Sequence, residues 1–177
     1  VKAMNAKAAA IGMRHTRFAD TTGLSPENVS TAEDLALLVK AANQYPLIRE
    51  YSTQPETAVA IEPTGQVLQF GNSNALVKTD SWQIMLQKTG FIREAGRCVV
   101  MLAQIASRPV IMVLLDSAGR FGRIGDAQRI RTWIETGEVL PLPPPEPVRV
   151  KAVTKNKRGK AMAVKKGKAK PVIKRRR

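Results

Sequence analysis

The chain has 177 residues, of which 29 are Lys or Arg and 14 are Asp or Glu, so its formal net charge is +15. Fourteen of the basic residues and a single acid lie from Pro141 onward, so residues 1–140 carry a net charge of only +2. No apolar run reaches the ~20 residues of a transmembrane helix, the single cysteine forms no internal disulfide, and no Cys/His cluster has metal-ligand spacing. The composition predicts a nearly neutral globular domain over 1–140, followed over 141–177 by a Pro-rich linker and a disordered basic tail.

The N-terminal third of the domain is predicted to be helical. Apolar residues at helical spacing predict a helix over 1–13, which Gly12 can end. A second, amphipathic helix is predicted after the capping-box pair Ser30 and Glu33, and Pro46 is predicted to end it. Because the sequence begins at Val1, inside the first predicted helix, we expect further residues upstream.

Strand patterns dominate the rest of the domain. Alternating or continuous apolar runs predict five strands, at 57–61, 66–70, 82–87, 98–106 and 110–115. The last two are nearly continuous apolar runs, which is typical of strands buried on both faces. The residues at 91–97 are predicted to form a turn.

A last helix is predicted after the strands. Asp126 is its predicted N-cap, Trp133 belongs to its predicted buried stripe, and Gly137 is its predicted stop. The order of the elements, with helices first, then meandering strands and then a helix, predicts an α+β fold with an antiparallel sheet.

One tripeptide, Lys88-Thr89-Gly90, carries a catalytic pattern. It follows the strand predicted at 82–87 and precedes the predicted turn. A K-T-G tripeptide taken alone also fits a surface Lys and Thr before a turn glycine. Its context decides between these two interpretations.

Several ordered motifs around the tripeptide resemble one family. They are Met4-Asn5, Ile11-Gly12-Met13, His15-Thr16, Phe18, Thr22-Gly23-Leu24, Ser30-Thr31-Ala32, Asp34-Leu35, Lys88-Thr89-Gly90 and Ala95-Gly96 with Cys98. Together they resemble the low-molecular-weight penicillin-binding proteins, the serine D-alanyl-D-alanine peptidases. Within that family, three segments are most similar to the D-alanyl-D-alanine endopeptidase branch: 44–48, 86–91 and 131–137. The resemblance covers about residues 1–138.

The resemblance implies a fold and a set of missing motifs. It implies a penicillin-binding or β-lactamase-like antiparallel sheet with flanking helices, incomplete at the N-terminus, in which 110–115 becomes an edge strand. The family uses S-x-x-K, S-x-N and K-T-G, and only K-T-G is present in the sequence. We therefore expect the nucleophilic Ser, its Lys partner and the S-x-N loop to lie outside this chain, and the chain alone to be inactive.

The resemblance also implies roles for the residues that are present. Lys88 supplies fixed positive charge beside the proton-transfer pair, and Thr89 hydrogen-bonds the carboxylate of the substrate or of a β-lactam. Gly90 has no Cβ, so a ligand can approach the strand backbone closely. The backbone N–H of Phe91 supplies half of an oxyanion hole. The peptide would lie along this strand as an added strand.

The implied setting is the bacterial cell wall. The expected partners are peptidoglycan peptide stems, and β-lactams in the complete protein. The implied location is exported or periplasmic, and no metal or organic cofactor is implied.

The basic tail suits anionic envelope polymers better than nucleic acid, since it has no aromatic residue for base stacking. The alternative is a non-catalytic protein that binds polyanions through its cationic tail.

Three other residues have both a functional and a structural interpretation. His15, the only histidine, is predicted to be a local cap or a surface residue rather than a base or ligand. Cys98 is predicted to pack as a small hydrophobic residue. Trp133 is predicted to lie in the core rather than to form a stacking platform.

Overall fold

The computed structural model describes residues 1–119 and 121–142. Helix α1 spans Lys2–Ala10, α2 spans Ala32–Ala42 and α3 spans Pro46–Thr53. The strands follow as β1 (Glu56–Ile61), β2 (Gln66–Gly71), β3 (Gln83–Ile92), β4 (Gly96–Ile105) and β5 (Arg108–Ser117). A 3-10 helix at Ala75–Lys78 precedes β3, and α4 spans Gly122–Thr136. The predicted α+β class is confirmed. The predicted boundary at residue 140 stays a prediction, because most of 141–177 lies outside the described residues.

Two antiparallel sheets are present in the described part of the chain. The hairpin of β1 and β2 forms one, and the other has the order β3-β4-β5. Strand β4 therefore lies in the centre of its sheet, and β3 and β5 lie at its edges. The edge position predicted for 110–115 is confirmed within the described residues.

Helices cover both faces of the three-stranded sheet. On one face, Met101, Ile105 and Met112 form a buried cluster that includes Ala127 of α4 and Leu76 of the 3-10 helix. On the other face, Leu86 and Leu102 pack against Val39 of α2. The alternation of side chains along β4 supplies both clusters, which explains why its sequence is apolar at nearly every position.

Helices α2 and α3 begin at local signals in the sequence. Thr31 is the N-cap of α2, and its hydroxyl accepts a hydrogen bond from the backbone N–H of Asp34 at 3.2 Å. The predicted cap at Ser30 is therefore one residue too early. Pro46 follows the end of α2 and also begins the next helix. It occupies the first turn of α3, where its missing N–H costs nothing.

Two predictions about the last helix are wrong. Helix α4 begins at Gly122, so Asp126 lies inside the helix and forms an ion pair with Arg129. Trp133 is 57% exposed and does not lie in the core. Ala127, which belongs to the same predicted stripe, has no exposed surface and lies in the core cluster. Trp133 lies six residues later, about 120° away around the helix, and so faces away from the core.

The turn between β3 and β4 is shorter than predicted. Strand β3 continues to Ile92 and β4 begins at Gly96, so the predicted turn at 91–97 shrinks to three residues. Gly96 has a φ of +66°, a conformation that glycine adopts without strain. A Cβ at this position would also lie 2.0 Å from a carboxylate oxygen of Asp116. As a consequence, Lys88-Thr89-Gly90 lies within a long strand and not at its end.

Candidate active-site strand

The K-T-G tripeptide lies on the edge strand β3. Lys88 pairs with Val100, Thr89 with Val99 and Gly90 with Cys98, all on the central strand β4. Within the described residues β3 pairs with no other strand, so the alternate backbone groups along its outer edge face away from the sheet. Such an edge can accept an extended peptide as an added strand.

Lys88 and Thr89 project to opposite faces of the sheet, because successive side chains alternate along a strand. Lys88 is exposed, and its Nζ donates a hydrogen bond to the carbonyl oxygen of Thr89 at 2.6 Å. Thr89 is half-buried and lies on the face covered by α4. The tripeptide thus presents an ammonium on one face and a hydroxyl on the other.

Thr89 lines a cavity of about 210 Å³ between the sheet, the 3-10 helix and the start of α4. Its hydroxyl lies 2.6 Å from the hydroxyl oxygen of Ser73, which also lines the cavity. Asn74, which is only 5% exposed, lines the cavity as well. Its side-chain Nδ2 is buried and has no hydrogen-bond partner in the described part of the chain.

Two guanidinium groups add positive charge to this cavity. Arg97 packs over the ring of Phe91, with Cζ 4.7 Å from the ring centroid. Arg123 donates a hydrogen bond to the carbonyl oxygen of Cys98 at 2.9 Å. In residues 1–119 and 121–142, neither guanidinium forms an ion pair. Hydroxyls beside unpaired guanidinium groups suit a carboxylate or another small anion.

The strand segment just before the tripeptide is anchored by buried hydrogen bonds. The side-chain Nε2 of Gln87 donates to the carbonyl oxygen of Ser52 at 2.6 Å and to Oδ1 of Asn72 at 3.0 Å. Its backbone N–H donates to the hydroxyl of Ser52 at 3.3 Å. Gln87 is only 5% exposed, so these bonds fix β3 to the last turn of α3.

A second and larger opening lies on the other face of β3. It encloses about 650 Å³, and Gly90, Phe91 and Cys98 contribute to its wall together with Met4 and Phe18 from the N-terminal segment. A Cβ at Gly90 would meet the Cβ of Cys98 at 3.9 Å, which is an ordinary contact. The described residues therefore leave room for a side chain at Gly90, and the absence of one keeps the backbone open to a ligand.

The N-terminal segment is organised by two carboxylates with lowered pKa values. The hydroxyl of Thr16 donates to Asp34 at 2.7 Å and lowers its pKa below the usual 3.8, and the backbone N–H of His15 assists. The hydroxyl of Thr22 and the amide of Asn28 lower the pKa of Asp20 to about 2. These bonds shape the loop between α1 and α2, and neither carboxylate lies on the K-T-G strand.

His15 lies at the surface, as predicted, whereas Cys98 belongs to neither buried apolar cluster of the described residues and lines the larger opening. His15 is exposed, and its backbone rather than its ring makes the contact with Asp34. Cys98 is half-buried in β4, and its thiol donates to the carbonyl oxygen of Ala95 at 3.3 Å. Neither side chain lines the cavity beside Thr89 in the described part of the chain, although the backbone carbonyl of Cys98 accepts from Arg123.

The sequence pattern pointed to the tripeptide but missed Ser73 and Gln87. Ser73 lies 16 residues before Thr89, and the hairpin of β1 and β2 precedes the turn that carries it. The polar run at 72–74 gave a turn signal without indicating which strand the turn would contact. Gln87 was detectable as a polar residue inside an apolar strand, since buried polar side chains need partners.

Comparison with known proteins assigns the family. Residues 1–119 match the family model described as D-alanyl-D-alanine carboxypeptidase. The chain belongs to this family. The predicted resemblance to the serine D-alanyl-D-alanine peptidases is therefore confirmed.

Curated relatives support the same assignment. D-alanyl-D-alanine endopeptidases of Pseudomonas aeruginosa and Escherichia coli are each 50% identical to the chain over 143 residues, or 81% of its length. That alignment covers 46% of each relative. The chain thus spans about half of the length of the curated relatives that it matches.

Solved structures show a similar fold. A penicillin-binding protein from Listeria monocytogenes in its cefotaxime-bound form is 30% identical, with a TM-score of 0.61 over 73% of this chain and 52% of that one. A Streptomyces DD-transpeptidase is 26% identical, with a TM-score of 0.65 over 73% of this chain and 51% of that one. The described residues therefore form part of a penicillin-binding-protein fold.

Proposed function

We propose that the chain supplies the K-T-G part of a serine D-alanyl-D-alanine endopeptidase or carboxypeptidase that acts on peptidoglycan cross-links through an acyl-enzyme. The observation that carries the proposal is the position of Thr89 on an exposed sheet edge, beside a cavity whose two guanidinium groups form no ion pair within the described residues. In this proposal Thr89 donates a hydrogen bond to the carboxylate of the substrate or of a β-lactam.

The other residues of the strand have separate roles. Lys88 supplies positive charge on the opposite face, where it would stabilise the proton-transfer pair electrostatically. Gly90 leaves the backbone accessible, and the backbone N–H of Phe91 would be one of two donors to the oxyanion of the tetrahedral intermediate. The nucleophile that forms the acyl-enzyme belongs to an S-x-x-K motif, which the sequence lacks.

The proposal extends to partners and location. Peptidoglycan peptide stems are the proposed substrates, and the proposed location is the periplasm. Within the described residues, no helix is long and apolar enough to cross a membrane. The comparisons do not support the alternative of polyanion binding through the basic tail, and residues 143–177 lie outside the described part of the chain.

A chimera tests the proposal directly. The matching 143 residues of the Escherichia coli endopeptidase are exchanged for those of this chain, and a fluorescent penicillin reports acylation. We expect the chimera to be labelled and the 177-residue chain alone to stay unlabelled. Thr89→Val should slow acylation by about tenfold to a hundredfold, because a hydrogen bond to a charged group contributes about 1.5–3 kcal/mol.

Thr57→Val is the matched control, since Thr57 lies on the exposed hairpin away from the K-T-G strand. It should leave the acylation rate unchanged. Equal rates for the unmodified chimera and the Thr89→Val chimera would contradict the role of Thr89. A stoichiometric penicillin adduct on the 177-residue chain would contradict the assignment of the nucleophile to a motif outside it.

A further inference from the structure

We infer that Ser73 is a positioning residue for Thr89, whose hydroxyl it holds in the orientation that donates to a ligand carboxylate. The inference rests on the proposed function of Thr89. The two hydroxyl oxygens lie 2.6 Å apart, although the residues are 16 positions apart in the sequence. In the described part of the chain, the Ser73 hydroxyl has no other hydrogen-bond partner.

The direction of the hydrogen bonds follows from the number of protons. A hydroxyl has one proton to donate and two lone pairs that accept. When Thr89 donates its only proton to a carboxylate, its oxygen can still accept from Ser73. The result is a chain from Ser73 to Thr89 to the carboxylate, in which each bond polarises and strengthens the next.

The turn that carries Ser73 is fixed on both sides. The side-chain amide of Asn72 donates to the carbonyl oxygens of Ser52 at 3.0 Å and Gln54 at 2.9 Å. Its Oδ1 accepts from the backbone N–H of Asn74 at 3.0 Å and from Gln87 at 3.0 Å. Because Gln87 lies two residues before Thr89, one network sets the positions of both the turn and the strand.

A purely structural role does not account for the Ser73–Thr89 bond. Ser73 is exposed and Thr89 is half-buried, so water can replace the bond in the unliganded protein with little loss of stability. The anchoring of this turn falls instead to Asn72 and Asn74, whose hydrogen bonds are internal to the fold. The bond between the two hydroxyls therefore orders the side chain of Thr89 more than it stabilises the domain.

The first test measures the Thr89 rotamer in the 177-residue chain. Three-bond NMR couplings to Cγ2 of Thr89 report its χ1 angle. We expect couplings of a single rotamer in the wild-type chain, averaged couplings in Ser73→Ala, and a single rotamer again in Ser73→Thr, which keeps the hydroxyl. Ser81→Ala removes an exposed hydroxyl away from Thr89 and should change nothing. Unchanged Thr89 couplings in Ser73→Ala would overturn the inference.

The second test measures ligand binding to the same chain. N-acetyl-D-alanyl-D-alanine is titrated at physiological salt while the backbone amide of Thr89 is followed by NMR, and the C-terminal amide of the dipeptide is the uncharged probe. Ser73→Ala should weaken binding of the carboxylate probe by about fivefold or more, with Ser73→Thr within about twofold of wild type. The affinity for the amide probe should not depend on residue 73.

The outcomes separate this inference from the proposed function. If Thr89→Val weakens carboxylate binding and Ser73→Ala does not, the inference is wrong and the proposed function stands. If Thr89→Val has no effect, or the wild-type chain does not bind the carboxylate probe, the proposed role of Thr89 is wrong and the inference falls with it. Adding Ser73→Ala to Thr89→Val should cause no further loss, because the two residues act through one contact.

Discussion

The side-chain Nε2 of Gln87 lies 2.6 Å from the backbone carbonyl oxygen of Ser52. This contact joins the residue just before the K-T-G tripeptide to the last turn of α3. The same nitrogen also donates to Asn72 at 3.0 Å, so a single buried amide holds together a helix end, a turn and an edge strand. The position of the tripeptide therefore depends on polar contacts as well as on apolar packing.

Gln87→Ala should destabilise the domain by about 1–3 kcal/mol, because it removes the two hydrogen bonds that the buried Gln87 amide donates to the Ser52 carbonyl and to Asn72. Urea unfolding followed by circular dichroism measures the change. Gln83→Ala is the matched control, since Gln83 is an exposed glutamine of the same strand. If both variants unfold at the same urea concentration, the network around Gln87 does not anchor β3.

Gly90→Ala should separate stability from binding. The new Cβ has its nearest contact at 3.9 Å, and the substitution lowers the conformational entropy of the unfolded chain, so stability should rise by about 0.4–1 kcal/mol. The same methyl group obstructs the backbone edge at which a ligand would lie. We therefore expect weaker binding of N-acetyl-D-alanyl-D-alanine by a more stable protein. Unchanged affinity would remove the proposed role of Gly90.

Met101→Ala should cost about 2–5 kcal/mol of stability, because Met101 has no exposed surface and lies in the cluster between the sheet and α4. Thermal unfolding by calorimetry or circular dichroism is the measurement. Leu68→Ala, at a 37% exposed position on the hairpin, is the control and should cost much less. Similar losses for the two variants would mean that the cluster is not the main core of the domain.

Acid should destabilise the loop between α1 and α2 through Asp34. Its pKa is lowered in the folded state by the hydroxyl of Thr16, so its contribution to stability is complete above about pH 5. That contribution falls as the pH drops below the usual 3.8 and is lost below the lowered folded-state pKa. The urea concentration at the midpoint of unfolding should decline less between pH 5 and pH 3 in Asp34→Asn than in the wild type. Asp80→Asn, at an exposed position, is the control and should decline like the wild type. Parallel profiles for wild type and Asp34→Asn would contradict this linkage.

The edge strand β5 should promote self-association of the 177-residue chain, because an apolar edge offers unpaired backbone groups to another chain. Leu115 is 45% exposed on this strand, so Leu115→Lys should shift the sedimentation profile towards monomer. Leu47→Lys adds the same charge on α3, at a 60% exposed position. An equal effect of the two substitutions would indicate charge repulsion instead of an edge effect, and a wild-type monomer would contradict the prediction outright.

Local patterns in the sequence predicted most of the regular structure. The strands at 57–61, 66–70, 98–106 and 110–115 could be located because apolar periodicity and turn residues report directly on burial and chain reversal. Helix α3 was missed because Pro46 serves both as a helix breaker and as a first-turn residue, and only the residues after it decide which. The exposure of Trp133 was missed because it lies six residues after the buried Ala127, a spacing that places the two residues on different faces of the helix.

The site was predictable only where its residues are contiguous. Lys88, Thr89 and Gly90 form a recognisable string, so the strand could be singled out. Ser73 reaches Thr89 only because β1 and β2 fold into a hairpin and the turn that follows returns to β3. A contact of this kind depends on tertiary packing. The apolar periodicity of a short stretch of sequence carries no information about it.

The hairpin of β1 and β2 is exposed at every position along both strands. At its base, the backbone N–H of Asn72 donates to the carbonyl oxygen of Pro55 at 2.8 Å and closes the loop. The turn that bears Ser73 therefore lies at the opposite end of the hairpin from its tip near Thr64. A fluorophore or a short peptide tag at that tip would project into solvent, and the family's K-T-G strand could be studied in labelled protein with its hydroxyl pair undisturbed.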